Sequence, residues 1–125
     1  MGIVDVPRNT RGFLNARQLN RHFARHGPQF GVATTIDYEE AADSFFGPKA
    51  AHVLECTRGR GDTVRFDPLT DGYGVIDANG VIRTYFKPLP CNTVPLAQVV
   101  MVRAAGECHD ESSNLNYFRV RCAKW

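Results

Sequence analysis

The hydrophobic pattern of this chain changes period once, near residue 50, and that change sets the fold class. Before it, apolar residues recur at helical spacing. Leu14, Leu19 and Phe23 do so within residues 14–26, and Tyr38, Ala41, Ala42, Phe45 and Phe46 do so in a second run. After it they alternate: in residues 62–67, Val64 and Phe66 fall on one face and Thr63 and Arg65 on the other. Helical segments followed by alternating ones predict an α+β chain, with N-terminal helices packed on an antiparallel β-meander sheet. The punctuation agrees. Asn15 suits an N-cap, with Asn9 or Thr10 as an earlier start, and Gly27-Pro28 stops the helix, glycine accepting a left-handed cap. A second helix starts at Thr34 or Thr35, carries acids in its first turn and ends at Gly47-Pro48. Strands follow at 51–57, 62–67, 73–77 and 81–86, with turns at 58–61, 68–72 and 78–80. Beyond Pro88-Leu89-Pro90, residues 97–103 and 117–122 read as two more strands, separated by a polar loop over 106–116.

At 125 residues the chain has room for a single domain. Its helical part covers about 10–47, its sheet about 51–88, and a further part 89–125. A composition of 43% hydrophobic and 22% charged residues excludes a disordered tail, a coiled coil and a collagen-like chain. No apolar run approaches the roughly 20 residues of a membrane-spanning helix. The opening residues 1–5 lack a basic segment followed by an apolar core, so any export is expected to depend on a longer parent chain.

The net charge of +2 is small, but its distribution is not even. Residues 1–36 hold Arg8, Arg11, Arg17, Arg21 and Arg25 against Asp5, and the next ten hold Asp37, Glu39, Glu40 and Asp43. A positive lobe beside a negative one suits steering of a phosphate chain, or two solvated helix faces of opposite sign. The acidic helix 37–43 is also a candidate protein-interaction face. The four cysteines, Cys56, Cys91, Cys108 and Cys122, form no Cys-x-x-Cys pair. Cys56 reads as a small buried residue, and disulfides are expected chiefly among the other three. Cys108, His109 and Cys122 could also supply three metal ligands.

Two stretches could carry chemistry. In His22-Phe23-Ala24-Arg25-His26-Gly27, the histidines are four apart and share a helix face, beside a stripe of Arg17, Arg21 and Arg25. Such a pair fits proton transfer near neutral pH, a metal site, or one packing and one solvated imidazole. In Gly80-Val81-Ile82-Arg83-Thr84-Tyr85-Phe86-Lys87, strict alternation puts Arg83, Tyr85 and Lys87 on one side and Ile82, Thr84 and Phe86 on the other. Cations, a hydroxyl and rings at a strand end can bind phosphate and stack a base, or simply form a solvated basic face. A phosphate-cradling Gly-Lys-Ser/Thr loop, a Gly-x-Ser-x-Gly elbow and a His-Glu-x-x-His motif are all absent.

Three blocks in order carry a resemblance. These are His22-Phe23-x-Arg25-His26-Gly27-x-x-Phe30-Gly31, then Gly61-Asp62-Thr63-Val64-Arg65-Phe66-Asp67-Pro68-x-Thr70, then Gly74-Val75-Ile76-Asp77-x-x-Gly80-x-Ile82-Arg83-Thr84-Tyr85-Phe86-Lys87-Pro88. Over about residues 15–88 the chain resembles the Barnase–EndoU–colicin–RelE-like ribonuclease superfamily. Within it the chain is nearest to colicin D-like transfer-RNA nucleases and to the C-terminal domains of contact-dependent growth inhibition toxins. The resemblance implies that fold, and cleavage of transfer RNA or another RNA without a metal or other cofactor. It implies His26, His22, Thr84 and Lys87 as catalytic residues, and Arg25, Arg21, Arg65, Arg83, Tyr85 and Phe86 as substrate contacts. It further implies a cognate immunity protein, admits a host activator protein, and involves no membrane insertion by this domain. The parent would be a larger secreted effector acting in the cytoplasm of a target cell. Gln29 stands where relatives often carry an acid, and residues 89–115 depart from the usual short ending. A non-catalytic RNA-binding or protein-interaction module is the alternative, and a metal-dependent DNase a weaker third.

Overall fold

The computed structural model describes residues 8–124. The sequence reading of residues 1–5, including the charge of Asp5, lies outside them. Four strands form the sheet: β1 Leu54–Thr57, β2 Thr63–Asp67, β3 Gly72–Ile76 and β4 Ile82–Phe86, in the order β1-β2-β3-β4 with every pair antiparallel. This is the expected meander, and the chain is α+β. Its tight connections are closed by Gly61 (φ +96°) and Gly80 (φ +82°), positions where a side chain would be strained.

Two helices cover one face. The first, α1 (Ala16–His26), begins where the Asn15 side chain accepts a hydrogen bond from the Gln18 N–H. The second, α2 (Thr35–Phe45), is capped in the same way by Thr34, which accepts from the Asp37 N–H. Gly27 is not the left-handed cap that the sequence suggested. It stays helical and starts a 3-10 turn, Gly27–Phe30, and the left-handed residue is Gly31 at φ +66°. Gly27 is needed for space: a Cβ there would lie 2.7 Å from the Phe23 ring. Under α1 and α2 sit Phe13, Tyr38, Ala42, Phe46, Ile82 and Tyr85. Tyr38 is fully buried, and its hydroxyl donates to the Tyr85 carbonyl.

The acids of α2 are partly spent inside the protein. Asp43 accepts from the Asn9 and Thr10 backbone N–H groups and from the Thr10 hydroxyl, while Glu39 accepts from the Phe13 N–H and pairs with Arg8 at 3.3 Å. The two charge lobes therefore neutralise each other in part, and Asp43 is not available as an interaction face.

The opposite face is where sequence and structure part. Residues 97–103 and 117–122 are not strands but belong to α3 (Leu96–Ala104) and α4 (Asn114–Ala123). For α4 the reason is visible: Ser113 caps it by accepting from the Asn116 N–H, and Leu115, Phe118 and Cys122 recur at helical spacing. They pack on Val64, Phe66, Tyr73 and Val75, so the sheet is covered on both sides. The structure offers no packing reason for α3, whose Leu96, Val100 and Met101 remain exposed. Of the two disulfides, Cys91–Cys108 falls among the three cysteines expected to pair, while Cys56, read as a small buried residue, is bonded as well. Cys56 joins Cys122, tying β1 to α4, and Cys91 joins Cys108, closing the excursion that contains α3. Cys108 and Cys122 are thus committed to different bonds, which removes the Cys108–His109–Cys122 metal set. With sequence separations of 66 and 17, each bond is worth about 3–4 kcal/mol in the chain-entropy picture. Among the described residues no helix is long and apolar enough to cross a membrane.

Gly74 shows how closely α2 lies on the sheet. A Cβ there would stand 2.7 Å from Phe46 Cζ and 3.1 Å from Phe45 Cε2. Gly74→Ala is expected to destabilise the protein by about 1–3 kcal/mol, the usual cost of overpacking. Urea melts of the two proteins would measure it.

Candidate active site

A cleft of about 600 Å³ opens where the end of α1, the end of β4 and the face of α4 meet. It gathers most of the residues singled out from sequence. His22, Arg25 and His26 come from α1, Thr84 and Phe86 from β4, and Lys87 follows directly. Four successive rings line it. His26 stacks on Phe86 (centroids 5.0 Å apart), Phe86 meets Tyr117 edge-on at 6.3 Å, and Tyr117 lies 4.6 Å from His109.

A bulge determines which β4 side chains reach this cleft. Val75 pairs with Thr84 and Ile76 with Ile82, so Arg83 is an extra residue in the strand. Past it the alternation resets. Thr84 and Phe86 face the cleft, while Tyr85 joins Ile82 in the core beneath the helices. Tyr85 is therefore not a substrate contact: it is 7% exposed, and its ring stacks on Phe30 at 4.2 Å. Arg65 is excluded as well. Its guanidinium donates to the carbonyls of Phe45 (3.0 Å) and Gly47 (2.6 Å) and pairs with Glu55, fastening the end of α2 to the sheet. Arg21 and Arg83 lie outside the main cleft, in a neighbouring groove of about 170 Å³ that shares His22 with it.

Gln29 answers what positions the imidazole. Its side-chain carbonyl accepts from the Lys87 N–H (2.9 Å), and its amide donates to the Lys87 carbonyl (3.2 Å). This two-bond clip fixes the turn after α1 to the end of β4, bringing His26 and Lys87 to one place. An acid could make only the first of these bonds. The Lys87 ammonium sits 5.3 Å from the Phe30 ring centroid. Arg25 reaches across the cleft mouth and donates to the Gly106 carbonyl at 2.9 Å.

The electrostatics favour uncharged imidazoles. Burial, then the Arg25 guanidinium, then His22 push the His26 pKa down to about 4, with Gln29 opposing. His22 is also lowered, first by burial and then by Arg21, Arg25 and Arg83. Both shifts favour the uncharged ring, which suits a proton acceptor better than a proton donor at either position. Nδ1 of His26 is buried without a hydrogen-bond partner.

The wall residues not read from sequence as site residues include Glu107, His109, Tyr117 and Arg121. Tyr117 and Arg121 were legible in principle, because an i, i+4 pair shares a face once 114–123 is recognised as a helix. His109 offered no comparable signal. Asn114 donates both amide hydrogens, to Pro88 O and Asp71 Oδ1, so its oxygen accepts from His109 Nε2 at 2.8 Å. With Nδ1 buried, His109 is a fixed part of the wall. Among the described residues no three His, Cys, Asp or Glu side chains converge as a metal-binding group.

No protein-family model matches the chain, and no curated protein matches it. Among solved structures it is similar to a ribonuclease from Escherichia coli complexed with its inhibitor protein, with 23% identity and a TM-score of 0.47, over 72% of this chain and 99% of that one.

Two outcomes follow from this geometry. Gln29→Ala removes both bonds of the clip and should cost about 0.5–1.5 kcal/mol in a urea melt, while loosening His26 relative to Lys87. The lowered pKa of His26 also links stability to pH. Between pH 6.5 and about 4 the unfolded chain binds a proton at this position that the folded chain does not. Stability from this source is complete above pH 6.5 and is lost as pH falls towards 4. His26→Gln should flatten that part of the stability–pH curve.

Proposed function

We propose that this chain is a metal-independent endoribonuclease of the toxin type, acting on transfer RNA by attack of a 2′-hydroxyl on the adjacent phosphate. One observation carries the reading: His26, held towards its uncharged form, shares a cleft with Arg25 and the hydroxyl of Thr84, and Lys87, whose ammonium rests over the Phe30 ring, follows Phe86 at its edge. RNA brings its own nucleophile. What it lacks is a base for the 2′-hydroxyl, positive charge for the phosphate and a donor for the departing oxygen.

In this scheme the 2′-oxygen forms a bond to phosphorus as its proton passes to His26. The bond from phosphorus to the 5′-oxygen breaks, and that oxygen takes a proton from Lys87. Arg25 exchanges its bond to Gly106 for a phosphate oxygen, Thr84 donates a hydrogen bond, and Phe86 supports a base. The products are a 2′,3′-cyclic phosphate and a free 5′-hydroxyl, after which His26 and Lys87 re-equilibrate with solvent. Arg21 and Arg83, in the groove beside His22, suit contacts to RNA further along the chain. A cationic cleft of this kind suits an immunity protein with an acidic face. Two disulfides suit a domain exported as part of a larger effector before it acts in the cytoplasm of a target cell.

The test is incubation of the purified protein with total transfer RNA in chelator, with fragment ends mapped. Discrete fragments bearing cyclic-phosphate ends are expected, and His26→Ala should slow their formation by about 10²–10⁴-fold. Full activity in His26→Ala would overturn the assignment of the base. Activity that vanishes in chelator would overturn the metal-independent scheme. RNA left intact in buffer and in cell extract, yet bound with a steep salt dependence, would make the protein a binding module.

A further inference from the structure

The wall formed by α4 has no part in the scheme above, yet it is built around a cation. The Arg121 guanidinium lies 4.5 Å from the Tyr117 ring centroid. Tyr117 is itself braced by Tyr73 at 5.1 Å, by Phe86 and by His109. The Arg121 carbonyl accepts from Arg58, and the next residue, Cys122, is bonded to Cys56 of β1, so the position is anchored from behind. Among the described residues no carboxylate forms an ion pair with Arg121, and Glu111 is the weakest of its electrostatic influences. A planar guanidinium fixed over a ring keeps its N–H groups in one orientation, which is the arrangement that suits a phosphate group. A solvated arginine at a helix end would need none of this bracing.

We propose that Arg121, held on Tyr117, binds a second phosphate of the substrate, one flanking the phosphate that is cleaved. This rests on the ribonuclease reading and adds a subsite to it. His26, Lys87 and Arg25 handle the scissile phosphate from the α1 and β4 side. Arg121 takes a neighbouring phosphate from the α4 side, and the Phe86–Tyr117–His109 rings lie between them as a surface for the intervening nucleotide. The enzyme would then hold at least two phosphates of the chain and so favour polynucleotides over a single phosphodiester.

The experiment uses the RNA cut in the assay above, synthesised with a neutral methylphosphonate at one phosphate at a time on either side of the cleaved bond. In wild type, one such position should lower kcat/KM by roughly tenfold or more, the worth of a charge-assisted contact. In Arg121→Ala that same substitution should change the rate less than about twofold, since the contact is already gone. Arg121→Lys keeps the charge and should retain part of the sensitivity. Tyr117→Leu removes the platform and should lose part of it. Arg119→Ala, on the exposed side of the same helix, alters net charge equally and should behave as wild type. Losses that simply add at every position, or a wild type indifferent to both flanking phosphates, would overturn the proposal and leave the ribonuclease reading standing. Unmodified RNA left uncut by wild type would overturn both.

Discussion

One extra residue in β4 governs what this protein can present to a ligand. Without the bulge at Arg83, strict alternation would put Tyr85 on the same side as Arg83 and Lys87, and Ile82 with Thr84 and Phe86. With it, Ile82 and Tyr85 both turn to the helical layer, where the Tyr85 ring closes on Phe30 and its carbonyl receives the Tyr38 hydroxyl. The same reset turns Phe86 outward between His26 and Tyr117. The core and the cleft are therefore two sides of one irregularity. A strand that kept its register would send Phe86 and Thr84 into the core with Ile82 and turn Tyr85 to the cleft, exchanging the two rings.

The cleft depends equally on how its two sides are joined. On one side, Gln29 treats the backbone of Lys87 much as a neighbouring strand would, accepting from its N–H and donating to its carbonyl. On the other, α4 is fixed to β1 by the Cys56–Cys122 bond. Held between these, His26 is sheltered enough that burial, more than any neighbouring charge, keeps its proton off. Arg25 adds to this while also supplying positive charge at the mouth. In the proposed scheme one arginine thus serves both the base and the phosphate through the same electrostatic field.

The sequence reading succeeded where structure is local. Asn15 and Thr34 are caps because their side chains bond within their own first turns, and the four meander strands follow from turns only a few residues long. It failed where a distant partner decides. Nothing near Arg65 says that its guanidinium will be consumed by the carbonyls of Phe45 and Gly47, and nothing near Cys56 names Cys122. Tyr85 was misplaced because a single-residue bulge leaves no mark on composition. The α4 error is different in kind. Leu115, Phe118 and Cys122 carried a helical period, but a window opened at 117 sees only three alternating pairs, Tyr117-Phe118, Arg119-Val120 and Arg121-Cys122.

That error matters because α4 changes what the sheet is. A meander with helices on one face leaves Val64, Phe66, Tyr73 and Val75 as an uncovered apolar surface. The chain covers it with its own C-terminal part, and Phe118 is the buried centre of that cover. The cover begins beside β4, close to the catalytic candidates, so residues needed to seal the core also become the far wall of the cleft. Tyr117 and Phe118 show the division in adjacent positions: one ring is buried against the sheet, and the next one back faces the cleft with Arg121 across it. A segment recruited for stability in this way brings new side chains to the cleft without disturbing the α1–β4 pairing.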